Sequence, residues 1–137
     1  MPEFYSGNCA CGGIKFEIEK TKGNVVNCHC NKCRELNGGP FSTYFVVPEK
    51  RFKLIEGREL LKSYSPSEKA VKNFCGNCGT PIFNLNLKYP TLKIVYYGGI
   101  NFLEEKKPNM NIFCQSKLSW VEIDTELANY EAEIQDA

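Results

Sequence analysis

The chain has 137 residues, 42% of them hydrophobic, which suits one globular domain over residues 1–137 with a core of its own. Lys and Arg (17) nearly balance Asp and Glu (16), so the charge predicts neither a nucleic-acid partner nor binding to an anionic membrane. No apolar run approaches the roughly 18 residues of a membrane span, and the N-terminus lacks the pattern of a signal peptide, so a cytoplasmic location is expected.

Short strands make up most of the predicted elements. Alternating or β-branched apolar residues bounded by Gly, Pro or Asn predict strands over residues 14–19, 41–47, 52–56, 60–65, 70–74, 82–87 and 92–97. Two helices are predicted: a single turn over residues 34–37, and one that begins with Asp124 as N-cap and has Leu127, Tyr130 and Ile134 at helical spacing. This pattern predicts a mainly β, largely antiparallel fold with a short C-terminal helix.

Eight cysteines dominate the chemistry of the sequence, and seven of them form three close groups: Cys9/Cys11, Cys28/Cys30/Cys33 and Cys75/Cys78. Sulfurs at such short spacing suit a shared soft cation better than separate disulfides, and the expected reducing compartment disfavours disulfides as well. Zinc is the predicted metal, because thiolates bind it tetrahedrally. A structural zinc takes four protein ligands, whereas a catalytic zinc keeps three and leaves one position open.

Seven ligands can divide into four and three in more than one way. Cys9, Cys11, Cys75 and Cys78 could form a structural site and leave Cys28, Cys30 and Cys33 around an open zinc. Alternatively, Cys30, Cys33, Cys75 and Cys78 could form a zinc ribbon. The ribbon would place 41 residues between its two cysteine pairs, against a usual gap of about 15–20, so spacing favours the first division without excluding the second.

Two residues are candidates for a fourth ligand at the central group. Cys114 follows Ile112 and Phe113, a context that is typical of a buried strand, where a free cysteine behaves as a small apolar residue. His29 lies between two predicted ligands and should point away from them in an extended segment, so a hydrogen bond to the backbone is its expected role.

Three segments together resemble the glutathione-dependent formaldehyde-activating enzyme family, whose domain also occurs in centromere protein V. They are residues 7–12 (GNCACG), residues 28–34 (CHCNKCR) and residues 74–80 (FCGNCGT). The resemblance covers roughly residues 5–121. It implies an Mss4-like fold of several small antiparallel sheets built around zinc knuckles.

The resemblance also implies functions for the cysteines. It assigns Cys9, Cys11, Cys75 and Cys78 to a structural zinc and Cys28, Cys30 and Cys33 to a catalytic zinc, so two zinc ions per chain are expected. The implied activity is that of a carbon–sulfur lyase, which joins glutathione and formaldehyde to form S-hydroxymethylglutathione.

The C-terminal part departs from the family pattern, since members often carry His and Arg where this chain has Asn111 and Lys117. Lys cannot bind a carboxylate in the bidentate manner of Arg. Arg34, Lys32 and Lys117 are the candidates to hold the carboxylates of glutathione. The alternative function is a non-catalytic interaction or thiol-sensing module with two structural zincs, since Mss4-like folds also serve that purpose.

Overall fold

Short extended segments dominate the protein, for which a computed structural model describes residues 3–133. One α-helix, α1, spans Asn31–Asn37. The strands are β1 (Phe4–Asn8), β2 (Lys15–Glu19), β3 (Asn24–Cys28), β4 (Ser42–Pro48), β5 (Phe52–Glu56), β6 (Leu61–Tyr64), β7 (Ala70–Cys75), β8 (Pro81–Asn86), β9 (Leu92–Tyr96), β10 (Ile100–Asn101), β11 (Met110–Ile112) and β12 (Ala128–Asn129). None of the helices within residues 3–133 is long and apolar enough to cross a membrane.

The prediction of a mainly β fold is confirmed, and the seven strands predicted from the sequence correspond to β2 and to β4 through β9. The predicted turn of helix at residues 34–37 is the end of α1. This helix begins earlier because the Cys30 side chain acts as its N-cap and accepts a hydrogen bond from the Cys33 amide.

The predicted C-terminal helix is wrong over the residues that the structure describes. The chain turns after Asp124 and forms β12, which pairs in parallel with β11. The Tyr130 amide donates to the Asn111 carbonyl, and the Cys114 amide donates to the Tyr130 carbonyl, so these groups pair across the sheet instead of along a helix. Ile134, the last residue of the predicted helix, lies outside the described residues.

The chain divides into two compact units, and the first contains residues 3–23 together with residues 45–105. Its four-stranded antiparallel sheet has the order β10-β1-β2-β5, and a second set of strands has the order β9-β8-β7-β6. Three aromatic rings pack together in the core of this unit. Phe52 stacks on Phe16 with ring centroids 5.1 Å apart, and it contacts Phe83 edge-on with ring centroids 5.3 Å apart. This unit contains the cysteine pairs Cys9/Cys11 and Cys75/Cys78.

The second unit contains residues 24–44 and, of the described residues, 106–133. Here β3 pairs with β11 and β11 with β12, all in parallel. β4 begins in this unit at residues 42–44 and ends in the first unit. Val25, Val26 and Met110 are buried in the second unit, and its helix α1 carries the third cysteine of the central group.

Candidate metal centres

Four cysteines of the first unit meet at one point, and we call them the tetracysteine cluster: Cys9, Cys11, Cys75 and Cys78. Their sulfurs all lie within 4.8 Å of one another, although Cys11 and Cys75 are 64 residues apart in the chain. The turn after β1 supplies the first pair, whereas Cys75 ends β7 and Cys78 lies in the turn that follows it. Gly79 follows with φ +81, a left-handed conformation that glycine adopts without strain.

The spacing of these sulfurs fits a tetrahedral ion. Cys9 and Cys11 Sγ are 3.5 Å apart, and Cys11 and Cys75 Sγ are 3.9 Å apart. Ligands at 2.3 Å from a tetrahedral zinc would be about 3.8 Å from one another. The set of four thiol donors therefore fits zinc in both chemistry and distance.

Hydrogen bonds hold the sulfurs of this cluster in place. The Ile14 amide donates to Cys9 Sγ at 3.2 Å. The Thr80 hydroxyl lies 3.2 Å from Cys78 Sγ and also accepts the Ala10 amide at 3.0 Å, which leaves its own proton available to the sulfur. That hydroxyl bond is the main reason that the pKa of Cys78 is lowered to about 5.

The central cluster consists of Cys28, Cys30 and Cys33 and lies wholly in the second unit. Cys28 ends β3, Cys30 caps α1, and Cys33 is in the first turn of the helix. Cys28 and Cys33 Sγ are 3.3 Å apart, and the Cys33 amide donates to Cys30 Sγ at 3.2 Å. Three soft donors in this arrangement also suit zinc.

Hydrogen bonds among these sulfurs separate their pKa values. Bonds from Cys28 and then Cys33 lower the pKa of Cys30 to about 2, whereas the bond with Cys30 raises the pKa of Cys28 far above its usual range. All three cysteines bind a metal as thiolates, so protons compete with the metal for the sulfurs and metal affinity should fall as the pH falls.

Neither of the predicted fourth-ligand candidates joins the central cluster. Among residues 3–133, the only potential ligand atoms within 4.8 Å of one another at the central cluster are the sulfurs of Cys28, Cys30 and Cys33. Cys114 is half-buried and unpaired, and it follows Phe113, whose φ is +56.

His29 is buried and belongs to a chain of side-chain hydrogen bonds. Asn111 donates its amide to Asn129 Oδ1 at 2.9 Å, which turns its own oxygen toward His29. His29 Nε2 lies 2.9 Å from that oxygen and is therefore the protonated nitrogen, while Nδ1 is buried without a hydrogen-bond partner among residues 3–133. Asn111, where the family resemblance led us to expect a histidine, is thus the hydrogen-bond partner of His29.

Arg34 holds the backbone around the central cluster. Its Nη1 donates to the carbonyls of His29 at 2.7 Å and Ser116 at 2.8 Å, and its Nη2 donates to Asn31 Oδ1 at 3.0 Å. These bonds tie the segment between Cys28 and Cys30 to the turn that follows β11.

The two lysines named from the sequence differ in their surroundings. Lys32 lies on the exposed face of α1 and pairs with Glu35 at 3.2 Å, with both side chains 59% exposed. Lys117 Nζ donates to the carbonyls of Leu118 at 3.1 Å and Val121 at 2.6 Å. Lys32 could exchange its partner easily, because exposed ion pairs contribute only about 0–1 kcal/mol. Lys117 would have to leave two backbone carbonyls.

Arg34→Ala is expected to lower the free energy of unfolding by about 2 kcal/mol, because two part-buried backbone carbonyls would lose their donor. Lys32→Ala is the control, because it removes an exposed side chain from the same helix. It should change stability by less than about 0.5 kcal/mol. Urea denaturation of the two variants measures the difference. Equal stability of both variants would mean that the Arg34 bonds carry little energy.

Comparison with known proteins identifies the family. The model of the glutathione-dependent formaldehyde-activating enzyme family matches residues 4–116. The chain belongs to this family. The match confirms the resemblance that the cysteine segments indicated.

Individual relatives agree with this assignment. An uncharacterized lyase of Schizosaccharomyces pombe is 31% identical over 83 residues, which are 61% of this chain and 58% of that protein. A Colletotrichum graminicola protein, provisionally named a glutathione-dependent formaldehyde-activating enzyme, is 30% identical over 87 residues, or 60% of this chain and 45% of its own length. The matched part thus spans about half the length of these relatives.

A solved structure has the same fold. The crystal structure of a Rhodobacter sphaeroides protein aligns with a TM-score of 0.61, covering 91% of this chain and 98% of that one at 19% identity.

A pocket of about 240 Å³ adjoins the buried histidine in the second unit. Its walls include the side chains of His29, Asn111 and Phe41, and the charged residues Lys107, Glu122 and Asp124 also line it. Asn27 and His29 both line the pocket, and Cys28 lies between them in the chain. The stretch of chain that carries Cys28 therefore also forms part of the pocket wall.

Two residues beside the sulfurs are not among those that the sequence reasoning named. Thr80 follows the Cys-x-x-Cys-Gly segment and could have been found as the nearest hydroxyl in sequence. Tyr44, whose hydroxyl lies 3.2 Å from Cys33 Sγ, looks like any other core aromatic of a strand, and no local pattern distinguishes it.

Proposed function

We propose that this chain is a zinc-dependent carbon–sulfur lyase that joins glutathione to formaldehyde, with a catalytic zinc at the central cluster and a structural zinc at the tetracysteine cluster. The observation that carries the proposal is the difference between the two clusters. One gathers four sulfurs and the other gathers three, with no further Cys, His, Asp or Glu joining it among residues 3–133. Family membership and the names of the two relatives, one a lyase and the other a glutathione-dependent formaldehyde-activating enzyme, support the same reaction.

The reaction forms one carbon–sulfur bond. The glutathione sulfur adds to the carbonyl carbon of formaldehyde, and the thiol proton ends on the former carbonyl oxygen. In the reverse direction, the carbon–sulfur bond breaks and the proton returns to sulfur. A zinc ion held by Cys28, Cys30 and Cys33 would supply a Lewis acid that favours the thiolate form of a coordinated thiol.

The residues of the chain prepare this site in separate ways. The Cys30 side chain caps α1 and so fixes the direction of the helix that carries Cys33. Arg34 ties down the backbone of His29 through its carbonyl. Arg34, Lys32 and Lys117 remain our candidates for the carboxylates of glutathione, and Lys32 needs the least rearrangement because its present partner is an exposed carboxylate.

Calorimetry can test whether a free thiol is what the site binds. Glutathione is expected to bind the zinc-loaded protein with a millimolar dissociation constant, or about −4 kcal/mol, whereas oxidised glutathione and S-methylglutathione should bind more weakly. A thiol coordinated as a fourth ligand is the reason for the difference, since both analogues lack an ionisable thiol. Cys33→Ser should abolish the preference.

Catalysis itself needs a second measurement, because thiols and formaldehyde also combine without an enzyme. Exchange spectroscopy by NMR should show faster formation of S-hydroxymethylglutathione with the zinc-loaded protein than with the Cys33→Ser variant or with buffer. Equal binding of the three glutathione forms, with no rate enhancement, would refute the enzyme and favour the alternative of a non-catalytic interaction module.

A further inference from the structure

The phenol of Tyr44 is directed at a sulfur of the central cluster. Tyr44 is the third residue of β4 and is 4% exposed, and its Oη lies 3.2 Å from Cys33 Sγ. This burial limits the competition of water for the Tyr44 hydroxyl. The Cys33 sulfur therefore has a side-chain hydroxyl within hydrogen-bond distance.

The direction of this hydrogen bond follows from the state of the sulfur. A cysteine that binds metal does so as a thiolate and has no proton to donate. The bond can then persist only with the Tyr44 hydroxyl as donor. Donation to a ligand atom draws electron density from it and fixes its orientation, as hydrogen bonds to metal ligands generally do.

We propose that Tyr44 is a positioning residue of the central metal centre, whose hydroxyl donates to the Cys33 thiolate, fixes the direction of that sulfur and reduces its electron density. The inference rests on the proposed function, since it requires a metal at the central cluster. Its consequence is that Cys33 is a weaker electron donor, and a less reactive nucleophile, than a thiolate without such a bond.

The tetracysteine cluster offers a matched comparison. There the Thr80 hydroxyl lies 3.2 Å from Cys78 Sγ, the same separation as that between Tyr44 and Cys33. Tyr44→Phe and Thr80→Val each remove one hydroxyl and nearly preserve the shape of the side chain. Each variant should alter the sulfur that it contacts and leave the other cluster unchanged.

Cobalt substitution supplies a readout that a purely structural role would not move. With Co²⁺ in both clusters, Tyr44→Phe should shift sulfur-to-cobalt charge-transfer absorption to lower energy, because an electron leaves a thiolate without a hydrogen bond more easily. Tyr44→3-fluorotyrosine, a stronger donor of similar shape, should shift it to higher energy at a pH where the phenol stays protonated. Opposite shifts from two variants cannot arise from loosened packing.

Alkylation of the zinc-loaded protein locates the effect. Iodoacetamide followed by peptide mapping should modify Cys33 roughly tenfold faster in Tyr44→Phe than in the unaltered protein, the size expected for one hydrogen bond to a charged group. Cys78 in the same sample should react at an unchanged rate. Thr80→Val should show the reverse pattern.

The metal content separates the two ways in which the inference can fail. Suppose that each cysteine cluster binds one metal ion, but Tyr44→Phe changes neither the cobalt absorption nor the alkylation rate of Cys33. This result would overturn the assignment of Tyr44 and leave the proposed function standing. Absence of metal from the central cluster of the unaltered protein would overturn the proposed function and this inference together.

Discussion

Cys75→Ser is expected to leave the protein unfolded or aggregated, whereas Cys33→Ser should leave it folded with less zinc. The tetracysteine cluster joins two turns that are 64 residues apart in the chain, and Cys75 is fully buried within it. Binding of a structural zinc contributes about 10–16 kcal/mol in small zinc domains, which is comparable to the whole stability of a typical domain, about 5–15 kcal/mol. Losing a ligand of that site should therefore cost most of the folding free energy.

The central cluster has a different relation to folding. Its three cysteines come from one stretch of six residues, so a metal there closes only a short loop. Helix α1 and the Arg34 bonds to backbone carbonyls also hold this stretch without metal. The variant that loses a central ligand should keep its cooperative transition.

Circular dichroism on heating and metal analysis of the purified variants measure this contrast. Cys114→Ser is the matched control, because Cys114 belongs to neither cluster and its loss should change stability by less than about 1 kcal/mol. Equal thermal destabilisation by Cys75→Ser and Cys33→Ser would contradict the division into a structural and a catalytic site.

The strands that were predictable from the sequence are those with a strong local pattern. β5 was predicted with both of its ends, because residues 52–56 lie between a polar turn and Gly57. β1 was missed, since its sequence, FYSGN, has no alternation of its own and depends on pairing with β2 and β10. β12 was missed for the same reason: its residues Ala128 and Asn129 have weak strand preference and are held by β11.

The candidate site was predictable in its ligands and much less so in its surroundings. Cysteine spacing picks out the seven sulfurs, because few other structures need thiols two or three residues apart. The neighbours of those sulfurs come from distant parts of the chain. Arg34 was assigned to substrate because it follows Cys33 directly, yet its donors reach the carbonyl of Ser116, 82 residues away.

Gly57→Ala is expected to destabilise the first unit by about 3 kcal/mol or more, although the residue lies far from both clusters in sequence. Gly57 has φ +90, a conformation that costs a residue with a Cβ about 1–3 kcal/mol. A Cβ there would also overlap the Gly13 carbonyl oxygen and lie 2.8 Å from Ile14 Cα. Both neighbours are backbone atoms, so no side-chain rotation can relieve the overlap.

The same change should weaken the tetracysteine cluster. Gly13 and Ile14 directly follow the first cysteine pair, and the Ile14 amide donates to Cys9 Sγ at 3.2 Å. Displacing this backbone would move the donor away from the sulfur, so the variant should lose zinc to a chelator faster than the unaltered protein does. Gly98→Ala is the control within the same unit, because a Cβ there meets nothing within 4 Å and its φ is not in the left-handed region.

Urea denaturation and chelator competition, run on Gly57→Ala and Gly98→Ala side by side, measure the two effects. A large loss of stability in Gly57→Ala with unchanged zinc release would separate the strain at this turn from the metal site. Unchanged stability would mean that the backbone at Gly13 and Ile14 shifts freely, and then the ligand geometry of Cys9 could not depend on it. We expect both quantities to change together, because one short segment both faces Gly57 and supplies the hydrogen bond to the Cys9 sulfur.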